Sequence, residues 1–225
     1  MHGGIVMVKQ AGSGIALRII ILLLLPLAAC STAQYAVMEK FGIHKREILV
    51  DRVEDARDSQ QAAKEQFASA LDEFSAVLNF DGGSLEEKYE QLQDVLDDSE
   101  TRAEDVRQRI ARVEDVAEAL FDEWEEELSL YASTQLRRSS AAKLKETRRH
   151  YERLISAMHR AEAKIEPVLV PLRDQVLYLK HNLNARAIAS LRGELGRVEG
   201  DVSTLIREME AAIREADAFI GRLEE

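Results

Sequence analysis

The sequence predicts an all-α protein, an elongated antiparallel coiled-coil bundle of three or four long helices. Over most of the chain apolar residues recur at alternating spacings of three and four, the heptad pattern of packed, supercoiled helices. Charged residues make up 32% of the 225 residues and aromatic residues only 5%, a composition typical of long helices. No stretch shows the two-residue alternation of a β-strand.

A glycine turn separates the first two predicted helices. The seam of the first, thin and rich in alanine, is Leu49, Val53, Ala56, Gln60, Ala63, Phe67, Ala70, Phe74 and Val77. Residues 81–84 predict a turn, and Ser84 with Glu87 predicts a capping box at the start of the second helix. The seam of the second helix is Leu85, Tyr89, Leu92, Leu96, Ser99, Ala103, Val106, Ile110, Val113, Ala117, Leu120, Trp124, Glu127 and Tyr131. This spacing places Trp124 and Tyr131 in the core.

The third predicted helix follows a stretch at 132–140 that is rich in serine and threonine. This stretch predicts a break, with Ser139 and Ser140 as the helix cap. The third seam is Met158, Glu162, Ile165, Leu169, Leu172, Val176, Leu179 and Leu183. Pro167 and Pro171 fall inside it, where each removes a backbone hydrogen bond, so we expect a kink.

The fourth seam is the most regular of the set. It consists of Ile188, Leu191, Leu195, Val198, Val202, Leu205, Met209, Ala212, Ala216, Phe219 and Leu223. Asn182 and Asn184 stand just before it and predict either a tight turn or a register shift within one long helix. Gly193, Gly196 and Gly200 follow no strand, so they are not a nucleotide-binding loop; we expect them to allow close helix approach or local flexibility.

A secretory signal precedes the heptads. Lys9 and Arg18 lie before a continuous apolar run at 19–27, and two alanines stand directly before Cys30. The run is far shorter than the ~20 residues that span a bilayer. A small-residue sequence that ends in cysteine after such a run is typical of a bacterial lipobox, so we predict acylation of Cys30. The alternatives are a signal peptide with an incidental cysteine and an anchor that stays uncut.

These features divide the chain into three parts. We predict a lipoprotein signal peptide at 1–29, a lipidated tether at 30–43 and a single elongated helical coiled-coil domain at 44–225. The start codon is Met1 or Met7, since the residues between them add little to a signal peptide.

Charge and cysteine content limit the kinds of partner that the mature chain can have. From Cys30 onward the chain has 28 basic and 41 acidic residues, a net charge of −13, which excludes the basic footprint that nucleic-acid binding needs. Cys30 is the only cysteine, so no disulfide is expected and membrane attachment rests on the acyl chains. Ser31 rather than aspartate at the next position indicates, by the usual sorting rule, the outer membrane facing the periplasm.

Two blocks of opposite charge flank the second break. The acidic block ends the second helix and consists of Glu118, Asp122, Glu123, Glu125, Glu126 and Glu127. The basic block begins the third helix and consists of Arg137, Arg138, Lys143, Lys145, Arg148 and Arg149. Each sits at the wrong pole of its own helix dipole, and folding the hairpin brings the two side by side. One interpretation is a set of interhelical ion pairs worth little each. The other is that Arg137, Arg138, Arg148 and Arg149 dock an acidic partner or a phosphate-bearing envelope polymer.

A dense polar set lies on the otherwise apolar segment at 174–184. Its candidate partner-binding residues are Asp174, Tyr178, Lys180, His181, Asn182 and Asn184. Asp174 and Tyr178 are four apart and therefore share a helical face. One interpretation is that these groups satisfy backbone left open by the kink and the turn. The other is a polar notch that recognises a partner.

The sequence carries no recognisable catalytic or metal-binding motif. No histidine has a glutamate three residues before it, and no second cysteine is present for a zinc site. We therefore expect no enzyme activity, no metal and no cofactor. A hydrolase or metal-binding bundle that uses His150, His159 or His181 with neighbouring carboxylates is the less favoured alternative.

Four stretches resemble a known family. Residues 50–58, 116–128, 136–140 and 174–191 are similar to the uncharacterised Gram-negative lipoprotein family catalogued as domain of unknown function 2959. The resemblance covers nearly all of the mature chain and implies a secreted helical lipoprotein acylated at Cys30. It implies no activity, substrate or catalytic residue.

Together these observations predict a non-catalytic, lipid-anchored cell-envelope scaffold or adaptor that presents a long helical surface to an envelope protein. Its contact with the membrane is through the acyl chains on Cys30. The alternative is an envelope sensor or binding module that contacts membrane or peptidoglycan directly. The seams are also compatible with self-association, because a heptad pattern does not say whether the paired helices belong to one chain.

Overall fold

A computed structural model describes residues 44–78, 84–182 and 184–224. These residues form six helices: α1 (Lys45–Leu78), α2 (Leu85–Leu128), α3 (Thr134–Glu162), α4 (Ile165–His181), α5 (Ala185–Arg192) and α6 (Leu195–Glu224). They contain no strand, so the all-α prediction is confirmed over this part of the chain. Residues 44–225 make one compact unit. The predicted signal peptide, tether and glycine turn lie outside the described residues.

The polar contacts between α1 and α2 show that the two helices are antiparallel. Lys45 Nζ lies 2.8 Å from Glu123 Oε2. Further along, Ser59 donates to Asp105 at 2.7 Å, and Gln66 donates to the backbone carbonyl of Val95 at 3.4 Å. Residue numbers rise along α1 as they fall along α2.

The remaining helices continue the same alternation. His159 of α3 reaches Glu114 at 2.8 Å, and Arg173 of α4 forms a salt bridge with Glu100, so α3 and α4 together run antiparallel to α2. The last helix, α6, runs antiparallel to α1 through the Arg57–Asp217 and Lys64–Glu210 pairs at 3.2 and 3.8 Å. The bundle therefore has four antiparallel stems: α1, α2, α3 with α4, and α5 with α6.

The heptad seams form the core, as the sequence predicts. Every position of the first seam is buried, from Leu49 to Val77. The second seam is buried from Leu92 to Leu120, and the fourth seam is buried at Ile188, Leu191 and every position from Val198 onward. Burial of apolar side chains at a 3.5-residue spacing is what holds these helices together, because the described residues contain no cysteine and no cluster of side chains that could hold a metal ion.

The second break differs from its prediction. The chain leaves helix only at 129–133, and Ser133, not Ser139 or Ser140, caps α3 by accepting the N–H of Leu136 at 3.3 Å. Residues 134–140 are helical because serine and threonine suit the first turns of a helix as well as a loop. At the previous break Ser84 accepts the N–H of Glu87, which confirms the predicted cap of α2.

Two predicted core aromatics are also corrected. Tyr131 lies in the turn after α2 and is exposed, and Trp124 is only partly buried. The Trp124 indole donates to Ser140 Oγ at 2.8 Å, so this ring is held across the hairpin by its polar edge. The seam loses its partners here because α2 extends past the start of α1.

The third and fourth stems are each interrupted once. Helix α3 ends at Glu162, and α4 begins at Ile165. Pro167 is therefore the third residue of α4, where its missing N–H costs no helical hydrogen bond.

The fourth stem breaks at residues 193–194. A Cβ at Gly196 or Gly200 would meet nothing within 4 Å, so the prediction of close helix approach is wrong at both positions.

Two glutamines are buried in the otherwise apolar interior. Gln60 of α1 and Gln175 of α4 expose almost no surface. Neither amide oxygen nor amide nitrogen has a hydrogen-bond partner within the described part of the chain. A buried amide without partners is costly, so we expect both residues to reduce the free energy of unfolding.

Candidate functional site

The predicted 174–184 segment covers the last turns of α4 and the turn after it. Outward-facing apolar residues mark this helix: Val170, Leu177 and Tyr178 are exposed. They share one side with Asp174 and His181, at spacings of four, seven, eight and eleven from Val170. We call these five residues the outer face of α4. This solvent-facing side carries apolar as well as polar side chains, whereas the exposed side of an ordinary surface helix is polar.

The two asparagines form the turn itself. Asn182 donates its side-chain amide to the carbonyl of Tyr178 at 3.0 Å. Asn184 caps α5 by accepting the N–H groups of Arg186 and Ala187, each at 3.1 Å. The structure thus selects a turn rather than a register shift, and it gives both asparagines a backbone-satisfying role. Lys180 and His181 are exposed in the last turn of α4, where the helix dipole favours cations.

The outer face stands on a firmly packed helix. On its inner side α4 buries residues from Ile165 to Leu179. Arg173 pairs with Glu100 of α2 and with Glu166 of its own helix. The hydrogen bond from Arg173 lowers the pKa of Glu166, because it stabilises the charged form of the carboxylate in this salt bridge. The exposed side chains therefore stand on a helix that is anchored to α2.

The basic block divides into paired and exposed residues. Arg148 forms a salt bridge with Glu125 and lies 5.2 Å from the centre of the Phe121 ring. Its hydrogen bond lowers the pKa of Glu125. Arg137, Arg138 and Arg149 are exposed. The hairpin thus brings the two charge blocks together at Arg148, while its other arginines face outward.

The two candidate regions lie at opposite ends of the bundle. The basic block belongs to the end where α1 starts, since Lys45 contacts Glu123 there. The 174–184 segment belongs to the end where α1 finishes, since Arg192 just after it donates to the carbonyl of Leu78 at 2.6 Å. They cannot form a single site. The third predicted site residue, Cys30, lies outside the described residues.

A cleft at the α1-start end is a feature that the sequence analysis missed. It has a volume of about 300 Å³ and is lined by Arg46, Leu120, Glu123, Trp124, Glu127, Lys143, Thr147, Arg222 and Leu223. Its floor is apolar, and its rim carries both signs of charge. These residues come from four stems and share no local motif, so no sequence signal identifies them.

Two histidines of α3 make polar contacts with side chains of other helices. His159 lies between Glu114 at 2.8 Å and Glu162 at 3.1 Å. His150 accepts from Arg222 at 2.8 Å and also contacts Arg153. Within the described ranges no group of three or more histidine, cysteine or carboxylate side chains is arranged to hold a metal ion.

We expect the two histidines to give stability opposite pH dependences. Burial alone would lower the pKa of His159, but the hydrogen bonds that its ring donates to Glu114 and Glu162 outweigh burial and raise the pKa. Its contribution is therefore complete below the unfolded pKa and is lost as the pH rises through the raised folded value. Burial, with Arg222 and Arg153, lowers the pKa of His150, so its contribution is lost as the pH falls.

Urea unfolding at about pH 5.5 and about pH 8.5 tests this. His159→Gln should reduce the free energy of unfolding more at the lower pH, and His150→Gln should do so more at the higher pH. Equal losses at both pH values for both variants would contradict the assignment. Each variant is the control for the other, because both remove an imidazole from α3.

Fold and surfaces define an acidic, all-helical bundle protein. Among the described residues no helix combines the length and apolarity needed to cross a bilayer. The chain belongs to the family described as "Protein of unknown function (DUF2959)", whose model matches residues 34–223. This confirms the family resemblance seen in the sequence. A comparison with curated proteins gave no match.

Proposed function

We propose that this protein is a non-catalytic, lipid-anchored scaffold or adaptor of the bacterial cell envelope. The observation that carries the proposal is the outer face of α4, where Val170, Leu177 and Tyr178 are exposed. Apolar residues grouped on one exposed face are typical of a protein–protein contact. The lipobox at Cys30 supports placement on the outer membrane facing the periplasm.

We propose further that the domain is an elongated coiled coil. Helix α2 has 44 residues, which corresponds to a length of roughly 66 Å. The seams keep a 3.5-residue spacing along four antiparallel stems, which favours left-handed supercoiling. Such a bundle would hold the outer face of α4 far from the end at which the tether enters.

A second candidate function is direct sensing of membrane or peptidoglycan. The exposed arginines Arg137, Arg138 and Arg149 favour it, because guanidinium groups bind phosphates and carboxylates well. They lie at the end of the bundle where α1 starts, which is the end of the domain that the predicted tether joins. No enzyme activity, metal or cofactor is part of either proposal.

In-cell crosslinking from positions 178 and 138 tests the adaptor against the sensor. We expect a photo-crosslinker in place of Tyr178 to capture one defined envelope protein. The capture should be lost in a Leu177→Ser variant, because that change removes apolar area from the same face. The matched control is Leu136→Ser, which removes an equally exposed leucine at the other end of the bundle.

The opposite pattern would reject the adaptor. If position 138 captures only glycan or lipid and position 178 captures nothing, the sensor is the correct function. Circular dichroism of each variant checks that the helices remain folded, so a lost crosslink reports on contact and not on unfolding.

A further inference from the structure

The exposed large apolar side chains of the described residues fall into two groups of three. One group lies on the outer face of α4. The other is Leu130, Tyr131 and Leu136, in and just after the turn between α2 and α3. Leu130 is 79% exposed and Leu136 is 59% exposed. We call residues 129–139 the hairpin tip.

The hairpin tip projects beyond the other two stems. Helix α1 begins beside Glu123, and Arg46 lines the same cleft as Glu127, so α2 passes the start of α1 only at its last residues. The end of α6 reaches only to the level of Lys143, which shares a cleft with Leu223. From Lys143 back to Thr134, α3 rises a further ~13 Å. Every residue of the tip is exposed as a result.

Local hydrogen bonds hold the tip in this shape. Ser129 donates its hydroxyl to the carbonyl of Glu126 at 2.8 Å, and Ser133 caps α3. Across the hairpin, the Trp124 indole donates to Ser140 at 2.8 Å. The turn is thus built from its own polar groups. Leu130 and Leu136 are largely exposed, while the Tyr131 hydroxyl lies 3.5 Å from Ser140 Oγ. The two leucines contribute nothing to the core, so their exposure needs another explanation.

We propose that the hairpin tip inserts into the surface of the lipid bilayer that carries the acyl chains of Cys30. This inference rests on the acylation in the proposed function. Between Cys30 and Lys45 the chain can span at most about 50 Å. The tip lies at the end of the bundle where Lys45 begins α1, so it is at the end of the domain that the chain from Cys30 joins. The outer face of α4 lies at the far end.

The chemistry of the tip fits a lipid headgroup layer. Leucine partitions into the acyl boundary, and tyrosine is enriched at the headgroup level. Arg137 and Arg138 are exposed directly after Leu136, where their guanidinium groups can reach lipid phosphates. Glu126 and Glu127 are exposed behind the turn and limit insertion to a shallow depth. A protein partner would not explain why the patch stands at the tether end of a chain anchored by lipid.

A fluorescent label on the full chain measures this contact. The acylated cysteine has no free thiol, so Leu136→Cys introduces the one reactive site. The protein is purified from membranes, labelled with an environment-sensitive dye and reconstituted in vesicles of phosphatidylethanolamine and phosphatidylglycerol. We expect a blue shift of the dye and quenching by brominated lipid. The matched control is Leu177→Cys, because Leu177 is 58% exposed at the other end of the bundle; its label should remain aqueous and unquenched.

Each other result overturns the inference. If the protein floats with the vesicles and the label at 136 stays aqueous, the tip contact is wrong while anchoring stands. Quenching of both labels means that the contact is not specific to the tip. Self-quenching between labels at 136 assigns the patch to a second copy of the chain. A protein that does not float contradicts both the anchor and the tip contact.

Discussion

Replacement of Cys30 by alanine is expected to abolish acylation and to release the processed chain from the membrane. The thiol is the only atom in the chain that can take the thioether-linked lipid, because Cys30 is the sole cysteine. Two or three acyl chains hold a protein stably, at about 0.8 kcal/mol for each buried methylene, whereas one chain binds only marginally. With a net charge of −13 the mature chain has no general attraction to anionic lipid that would replace them.

Metabolic labelling with a fatty-acid analogue, together with membrane flotation, measures both effects. Ser31→Ala is the matched control, because it changes the neighbouring residue and leaves the thiol in place. It should incorporate label as the wild type does. Equal labelling of the wild type and Cys30→Ala would contradict the proposal that Cys30 is acylated.

The second large effect is a gain in stability from Gln60→Leu and from Gln175→Leu. Both amides are buried without partners among the described residues, and leucine has a similar volume. Gln60 is also a seam position, which suits leucine. Leaving a buried polar group unsatisfied costs about 1–3 kcal/mol, so each substitution should raise the free energy of unfolding by roughly that amount. Urea unfolding gives the change from the midpoint at constant slope.

Gln61→Leu is the control for this experiment. Gln61 lies next to Gln60 on α1 but hydrogen-bonds to Glu65 on the helix surface, so its replacement should change stability by less than about 0.5 kcal/mol. A loss of stability in Gln60→Leu would mean that the amide has a partner in solution, such as a bound water.

The sequence predicts the core of this protein better than its ends. A 3.5-residue period identifies the buried side of a helix directly, and it selects even the polar core residues Gln60 and Ser99. Helix ends depend on local choices between similar residues. Ser133, Ser139 and Ser140 are all good caps by type, and the sequence does not say which serine has the extended backbone that a cap needs.

The candidate regions show the same limit. The 174–184 segment is unusual because of its polar residues, but Asn182 and Asn184 turn out to serve the backbone. The apolar residues beside them, Val170 and Leu177, are the ones that face solvent. Hydropathy alone assigns such residues to the core. The third seam omits both positions, and the packing of α4 against α2 and α6 shows that no other described helix covers them.

The antiparallel register of the stems also constrains how the length of this domain can change in evolution. A seven-residue insertion in α1 preserves its own heptad phase but shifts every later residue by about 10 Å. Pairs such as Lys64–Glu210 and Ser59–Asp105 would then face the wrong partners. Matching insertions in all four stems would keep the pairs and the seams intact. The domain can therefore be lengthened only by heptad insertions made together in all four stems. The distance between its two ends then changes in steps of about 10 Å.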